Sequence, residues 1–177
     1  TPYDALGLLR TAVKDDNLTI YAEHSLLYGV RGAVPDQWYE VPFGEASLRR
    51  SGKDITIVSY SRMVQVALQA AEILASSKGI EADVLDLRTL RPLDMETVIE
   101  SVKKTNRAMV VEETWRTGGF AGEIASTIQA EAFDYLDGPV ARVCGVDVPT
   151  PYARKLEEAV LPSADWIIRA IEVHFGI

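Results

Sequence analysis

One cysteine, Cys144, and two histidines, His24 and His174, are all that 177 residues offer of the side chains most used for redox, metal and nucleophilic chemistry. A single cysteine closes no internal disulfide and makes no thiolate metal site by itself, so nothing marks an oxidising compartment. Cys144 reads as a small buried residue in a strand. Catalysis of the Ser-His-acid kind has only the two histidines to draw on, and neither stands in a nucleophile-elbow context. His24, beside Glu23 just after a predicted strand, reads as a hydrogen-bonded structural residue, and His174 as a charge suited to the carboxyl end of the last helix. Clustered Cys/His spacing of the zinc type is lacking. So is any apolar run near the roughly 18 residues of a membrane-spanning helix, or a signal-peptide pattern at the start. Positive charge is also short: 18 Lys and Arg against 26 Asp and Glu give a net charge of -8. That field opposes non-specific binding to nucleic acid or anionic membranes and leaves room for a basic protein partner.

What the chain has is apolar content in alternating patterns. Hydrophobic residues make up 47% of it, enough for one domain that buries roughly 70% of its unfolded surface. The sequence opens at Thr1 without a methionine. Thr1 suits an N-cap, Pro2 the first helical position and Asp4 the positive end of a helix dipole. A helix is therefore predicted from the first residues to about Lys14, stopped by Asp15-Asp16-Asn17, and such a start reads as the interior of a longer protein. Leu18 to Ala22 is predicted as a strand. From Tyr28 to Pro42, Gly29, Gly32, Pro35 and Pro42 break every period. This stretch reads as an extended linker with Trp38 and Tyr39 packed on a surface, and it sets a domain boundary near residue 43.

Past the linker, Ala46 to Arg50 and Ile55 to Tyr60, joined by Ser51-Gly52-Lys53-Asp54, read as a hairpin or bulged turn. Met63, Val64, Ala67, Leu68, Ala71 and Leu74 recur on one helical face, which predicts a helix over about 62–77. Ala82 to Leu87 follows as a strand, and Asp94 caps a helix that buries Met95, Val98, Ile99 and Val102. Ala108 to Val111 reads as a strand buried on both faces. The helix after it turns Phe120, Ile124, Ile128 and Phe133 inward and ends at Asp137-Gly138-Pro139. Val140 to Val143 is the next strand, Pro149 and Pro151 bracket a loop, and Ser163 caps a last helix with Trp166, Ile167, Ala170 and Ile171 buried. Strand and helix alternate throughout, so the fold class is α/β, a mostly parallel sheet flanked by helices.

The stretch Arg107 to Ile124 organises this pattern. Gly118, Gly119 and Gly122 after a strand suggest a phosphate-cradling turn at a helix start. Their spacing does not match Gly-x-Gly-x-x-Gly, and Glu112 and Glu113 would repel a phosphate, so a tight turn with close helix-sheet packing is the better reading. Asp83 to Pro92 bears some likeness to the aspartate loop of a receiver domain. Such a domain needs acidic residues after its first strand to hold magnesium, and Ser59, Ser61 and Arg62 stand there instead.

Six runs together carry a specific resemblance: Thr-Pro-Tyr-Asp-Ala at the start, Lys-Asp-Asp-Asn at 14–17, Asp-Leu-Arg-Thr-Leu-Arg-Pro-Leu-Asp at 86–94, Glu-Glu-Thr-Trp-Arg-Thr-Gly-Gly at 112–119, Ala-Phe-Asp-Tyr-Leu-Asp-Gly-Pro at 132–139 and Asp-Val-Pro-Thr-Pro-Tyr-Ala at 147–153. The chain resembles the carboxyl half of the β subunits of thiamine-diphosphate-dependent pyruvate dehydrogenases. The resemblance implies that residues 1–27 end a pyrimidine-binding domain, 28–43 form the interdomain linker, and 44–177 form a complete transketolase carboxyl-terminal domain. It also implies an assembled enzyme of two α and two β subunits that decarboxylates a 2-oxo acid with thiamine diphosphate and magnesium and passes the acyl group to lipoyl. The glutamate and histidine that serve the cofactor in this family lie upstream of Thr1, so no catalytic or cofactor-binding residue is carried over, and this chain alone is expected to be inactive. Two sites are carried over. One is a potassium site made by the carbonyls of Ala12 and Val13 with Asp15 and Asn17. The other is a docking site for the subunit-binding domain of the dihydrolipoamide acyltransferase at Asp137 and the terminal carboxylate of Ile177. The cytoplasm of a bacterium, or the mitochondrial matrix of a eukaryote, is the implied location. Branched-chain 2-oxo acid or acetoin dehydrogenase β subunits remain an alternative. A free-standing α/β binding module is an alternative of another class, although it would not need a helix and strand ahead of the linker.

Overall fold

The computed structural model describes residues 1–176, apart from the side chains of His174 and Phe175. Helix α1 (Pro2–Lys14) starts as its sequence dictates: the Thr1 hydroxyl accepts the Asp4 N–H, and Pro2 sits in the first turn, where its missing donor costs nothing. The segment after it holds only a 3-10 turn at Ser25–Leu27. Leu18 to Ala22, expected as a strand, is not one. No strand among the described residues pairs with it, and Leu18 and Ile20 are 95% and 88% exposed; apolar, β-prone residues need a ladder partner to become a strand. The linker aromatics do pack on a surface. Tyr39 stacks on Tyr3 at 4.4 Å between ring centroids, and the Arg10 guanidinium lies 4.4 Å from the Trp38 ring.

The rest is a doubly covered sheet. Its elements are β1 (Ser47–Arg50), β2 (Ile55–Ser59), α2 (Met63–Lys78), β3 (Ala82–Asp86), α3 (Met95–Thr105), β4 (Ala108–Trp115), α4 (Phe120–Glu131), β5 (Ala141–Gly145), α5 (Arg154–Val160) and α6 (Ala164–Phe175). The strand order is β1-β3-β2-β4-β5. All pairs are parallel except β1 with β3. The expected hairpin of β1 with β2 is therefore absent. Every residue of β2 is buried, so it takes an inner position between two parallel strands, while the half-exposed β1 goes to the edge beyond β3. Residues 51–54 cross the start of β3, where the Lys53 and Asp54 N–H groups donate to the Glu81 carbonyl at 2.8 and 2.9 Å.

Side-chain alternation along the strands divides the core in two. Ile55, Ile57, Val84, Met109 and Val111 face α2 and α6, meeting Ala67, Leu74, Ile167 and Ile171. Val58, Leu85 and Val110 face α3 and α4, meeting Val98, Val102, Ile124 and Ile128. Each such large aliphatic side chain contributes roughly 1.5–3 kcal/mol when fully buried. Asp94 caps α3, Ser163 caps α6 and Gly79 ends α2 in the left-handed conformation, as the sequence indicates. No helix among the described residues is long and apolar enough to cross a membrane.

Two further expectations are corrected. Phe133 is 65% exposed, because α4 stops at Glu131 and a 3-10 turn over Phe133–Tyr135 swings the ring outward, leaving Ala132 to fill the core. The loop expected around Pro149 and Pro151 runs into α5, which has no buried residue and therefore no apolar periodicity to betray it.

Candidate functional site

In an open α/β sheet the ligand crevice lies beyond the carboxyl ends of the strands, where successive connections leave for opposite faces. Here β2 leads to α2 on one face and β4 leads to α4 on the other. The side chains at that point are Tyr60 and Arg62 after β2, and Glu112 and Glu113 near the end of β4.

Glu112 is fully buried. Its Oε2 accepts the Tyr60 hydroxyl and the Ala121 N–H, each at 3.0 Å, and the Cys144 thiol lies 3.6 Å from Oε1. Ala121 belongs to the first turn of α4, so a carboxylate of the chain itself occupies the positive end of that helix. A Cβ on Gly119 would stand 2.1 Å from Oε1, which explains glycine there. The Gly118-Gly119 turn is thus filled by Glu112 and is no anion cradle. Burial, with the Glu112 charge second, pushes the Cys144 thiol up to about 11 and the Tyr60 hydroxyl well above its ordinary value. Both stay protonated at neutral pH, and Cys144 is no nucleophile.

Glu113 points the other way. Its Oε1 lies 3.3 Å from Arg62 Nη1 and its Oε2 lies 3.1 Å from His24 Nε2. Because His24 Nδ1 accepts the Leu26 N–H, the neutral ring carries its proton on Nε2 and donates it to Glu113. His24 is hydrogen-bonded as expected, though to Glu113 and not to its neighbour Glu23, which takes the Tyr28 hydroxyl at 3.2 Å. Residues 24–27 thereby strap the crevice. Beside it a groove of 910 Å³ runs between the 90–95 loop and α4, walled by Leu90, Pro92, Met95 and Phe120 with Arg91 and Glu123. Glu112 lies behind Gly119, outside that wall.

A second cluster joins α1 to the edge of the sheet. Asp4, 4% exposed, meets Arg49 of β1 and lies 2.8 Å from Arg88, and Arg49 also lies 2.8 Å from Asp86. The Arg88 N–H in turn donates to Asp86 at 3.1 Å. Nothing in the sequence pairs these residues, since the four come from three separate segments. Their one signal is that Asp4, Asp86 and Arg88 all fall within the runs that carry the resemblance.

The sites expected from sequence are placed as follows. Asp15 caps α1, its Oδ1 accepting from the Asn17 side-chain and backbone N–H at 2.9 and 3.2 Å and its Oδ2 from the Thr19 hydroxyl at 3.0 Å. Asp15 and Asn17 are brought together just past the carbonyls of Ala12 and Val13, the last turn of the helix. Those three hydrogen bonds hold the Asp15 carboxyl below its usual value. Asp137 follows the 3-10 turn, exposed, 3.5 Å from Arg107 Nε. Ile177 and the side chain of His174 lie outside the described residues.

Residues 44–167 match the family of transketolase C-terminal domains, and the chain belongs to that family. It is 47% identical over 171 residues to the mitochondrial pyruvate dehydrogenase E1 component subunit beta of Dictyostelium discoideum, covering 94% of this chain and 48% of that protein. It is 46% identical over 170 residues to the acetoin:2,6-dichlorophenolindophenol oxidoreductase subunit beta of Cupriavidus necator, covering 96% of this chain and 50% of that one. Among solved structures, a split-gene transketolase in an inactive beta4 tetramer superposes with a TM-score of 0.64 at 28% identity, over 81% of this chain and 45% of that chain. The chain spans about half the length of the curated relatives it matches.

Proposed function

We propose that this chain is the carboxyl half of the β subunit of a 2-oxo acid dehydrogenase, with pyruvate as substrate of the assembled enzyme. The observation that carries this reading is 47% identity to a pyruvate dehydrogenase β subunit over 94% of the chain. The acetoin reading stands second, on the 46% identity to the acetoin enzyme's subunit. The assembly comprises two α and two β subunits, in the cytoplasm of a bacterium or the mitochondrial matrix. Residues 1–27 end the pyrimidine-binding domain, 28–43 link, and 44–177 form the carboxyl-terminal domain; the family match beginning at residue 44 supports that division.

Thiamine diphosphate and magnesium belong to the assembled enzyme. The residues of this chain do not fit them: its glycine turn is filled by Glu112, and among the described residues no three His, Cys, Asp or Glu converge as metal ligands. Micromolar binding of thiamine diphosphate by the 177-residue chain would contradict this assignment.

The role of the chain is assembly and docking. Phe133 and Tyr135, 65% and 47% exposed, precede Asp137 in the same turn of chain. Aromatic surface next to a carboxylate suits a small basic domain, here the acyltransferase's subunit-binding domain, with Ile177 as the second anchor. Ala12, Val13, Asp15 and Asn17 supply the potassium site.

A chimera tests the function: the amino half of a pyruvate dehydrogenase β subunit fused to this chain and assembled with its α subunit. Pyruvate decarboxylation supports the reading, acetoin turnover alone selects the second one, and a folded, assembled but inert chimera rejects both.

A further inference from the structure

The two edge strands of the sheet are protected differently. At β1 the ladder carries a register shift between Leu48 and Arg50, α1 is tied to the strand through Asp4 and Arg49, and Arg50 is paired with Glu81. Irregular registers, charge pairs and covering elements of this kind keep a sheet edge from pairing with another chain. β5 ends the other side of the sheet, with no strand beyond it among the described residues. Its own course is regular: β4 advances from Val111 to Trp115 while β5 advances only from Val143 to Gly145, so the extra residues in that ladder belong to β4.

A groove of 420 Å³ runs along this edge, lined by residues 142–147 and by Trp166, Arg169 and Ala170 of α6. Its flanks belong to opposite faces of the sheet. Arg142 stands on the α4 side, where a Cβ on Gly122 would lie 3.0 Å from its Nη1, whereas Trp166 and Ala170 pack with Val143 on the α6 side. Neither Arg142 nor Arg169 forms an ion pair among the described residues, while Arg116 already interacts with Asp147. One small ligand cannot meet both flanks. An added strand can, because its successive side chains point to opposite faces while its backbone pairs with the open edge. We infer that β5 accepts an extended segment of a partner protein as a sixth strand, with carboxylates toward Arg142 alternating with apolar side chains toward Trp166 and Ala170. The net charge of -8 limits how acidic that segment can be. A long acidic run is repelled by the whole surface, whereas one or two spaced carboxylates feel chiefly the charges within about 8–10 Å.

Calorimetric titration of the 177-residue chain with the peptide acetyl-Val-Glu-Val-Glu-Val-amide tests this. Saturable one-to-one binding is expected, about tenfold or more weaker for Arg142→Gln, which removes a charge-assisted contact. The fully N-methylated peptide, which can donate no ladder hydrogen bond, should lose at least as much. Hydrogen exchange of the unaltered chain gives a reading that does not depend on a variant folding: the peptide should add protection to amides within Ala141–Gly145 and leave Ser47–Arg50 unchanged. Absence of saturable binding, equal affinity of the N-methylated peptide, equal affinity of acetyl-Val-Lys-Val-Lys-Val-amide, or new protection confined to β1 would each overturn the inference. So would self-association that protects the β5 amides without peptide, which would give the edge to a second copy of the chain.

Discussion

Asp4 and Arg49, 45 positions apart, form a partly buried ion pair that fastens the first helix to the edge strand of the sheet. Arg88 completes the arrangement from the loop after β3, where its backbone is left-handed with φ of 59°. Removing the carboxylate would leave the largely buried Arg88 guanidinium without its ion-pair partner and Arg49 with Asp86 alone. Asp4→Asn should therefore destabilise the chain by about 2–4 kcal/mol, as breaking a buried pair does, read as a lower midpoint in urea unfolding. Burial by itself raises the Asp4 carboxyl, but the Thr1 hydroxyl, Arg49 and Arg88 outweigh it and leave it below its usual value. The folded pKa being the lower one, protons bind preferentially to the unfolded chain. Stability from Asp4 is present above about pH 4 and is lost as pH falls through the folded value. The wild type should lose stability more steeply than Asp4→Asn between about pH 5 and 2; parallel curves would remove the argument.

Gly119 and Glu112 make a steric prediction with its own control. An alanine Cβ at 119 would meet Oε1 of the buried, hydrogen-bonded Glu112 at 2.1 Å and the Trp115 backbone carbonyl at 2.4 Å. Gly119→Ala should cost about 1–3 kcal/mol, the range for overpacking. Gly138→Ala, with nothing within 4 Å of its added Cβ, should stay within about 0.5 kcal/mol of the wild type. Thermal unfolding of the two variants side by side decides the matter.

The same pair of residues indicates what a sequence can and cannot disclose. The run Ala108–Val111 is legible because burial on both faces leaves an unbroken apolar signature, and caps such as Asp94 and Ser163 because their hydrogen bonds reach only three residues ahead. Glu112 showed only its charge, since its partners Tyr60, Ala121 and Cys144 lie in three other segments. The hairpin expected of β1 with β2 is absent because a short turn favours the neighbouring strand only locally, and competition for inner sheet positions moves β1 to β3. Leu18 to Ala22 shows the limit of propensity, and α5 the limit of periodicity.

Docking at Asp137 predicts a graded set of affinities for the acyltransferase's subunit-binding domain. Asp137→Asn and a one-residue extension after Ile177 should each weaken the complex, by about tenfold or more if the contacts become desolvated. Phe133→Ser should also weaken it, because the ring is exposed on the turn that leads into Asp137. Arg107 sits 3.5 Å from Asp137 in the chain by itself, so the incoming basic group must share the carboxylate or displace it. Surface plasmon resonance with immobilised domain would show this, and unchanged affinity for all three variants would eliminate the site.

Potassium binding at the end of α1 is the most local prediction. The last carbonyls of a helix have no intrahelical donors and carry the negative end of its dipole. Asp15 and Asn17 fold together immediately beyond Ala12 and Val13, and Asn17 and Thr19 hold the Asp15 carboxyl below its usual value. Those same donors compete with a cation for the carboxylate oxygens, so affinity in this chain should be low and should rise when further carbonyl ligands are supplied by an intact subunit. Binding to the folded state raises the unfolding temperature, and the more so the further the ligand concentration exceeds its dissociation constant. An intact subunit containing this chain should therefore melt higher in potassium chloride than in lithium chloride at equal ionic strength, and Asp15→Asn should abolish the difference. With rubidium in place of potassium, an anomalous peak is expected within coordination distance of the Ala12 and Val13 carbonyl oxygens. A melting temperature indifferent to the cation, together with no such peak, would leave Asp15 and Asn17 as nothing more than the turn that stops the helix.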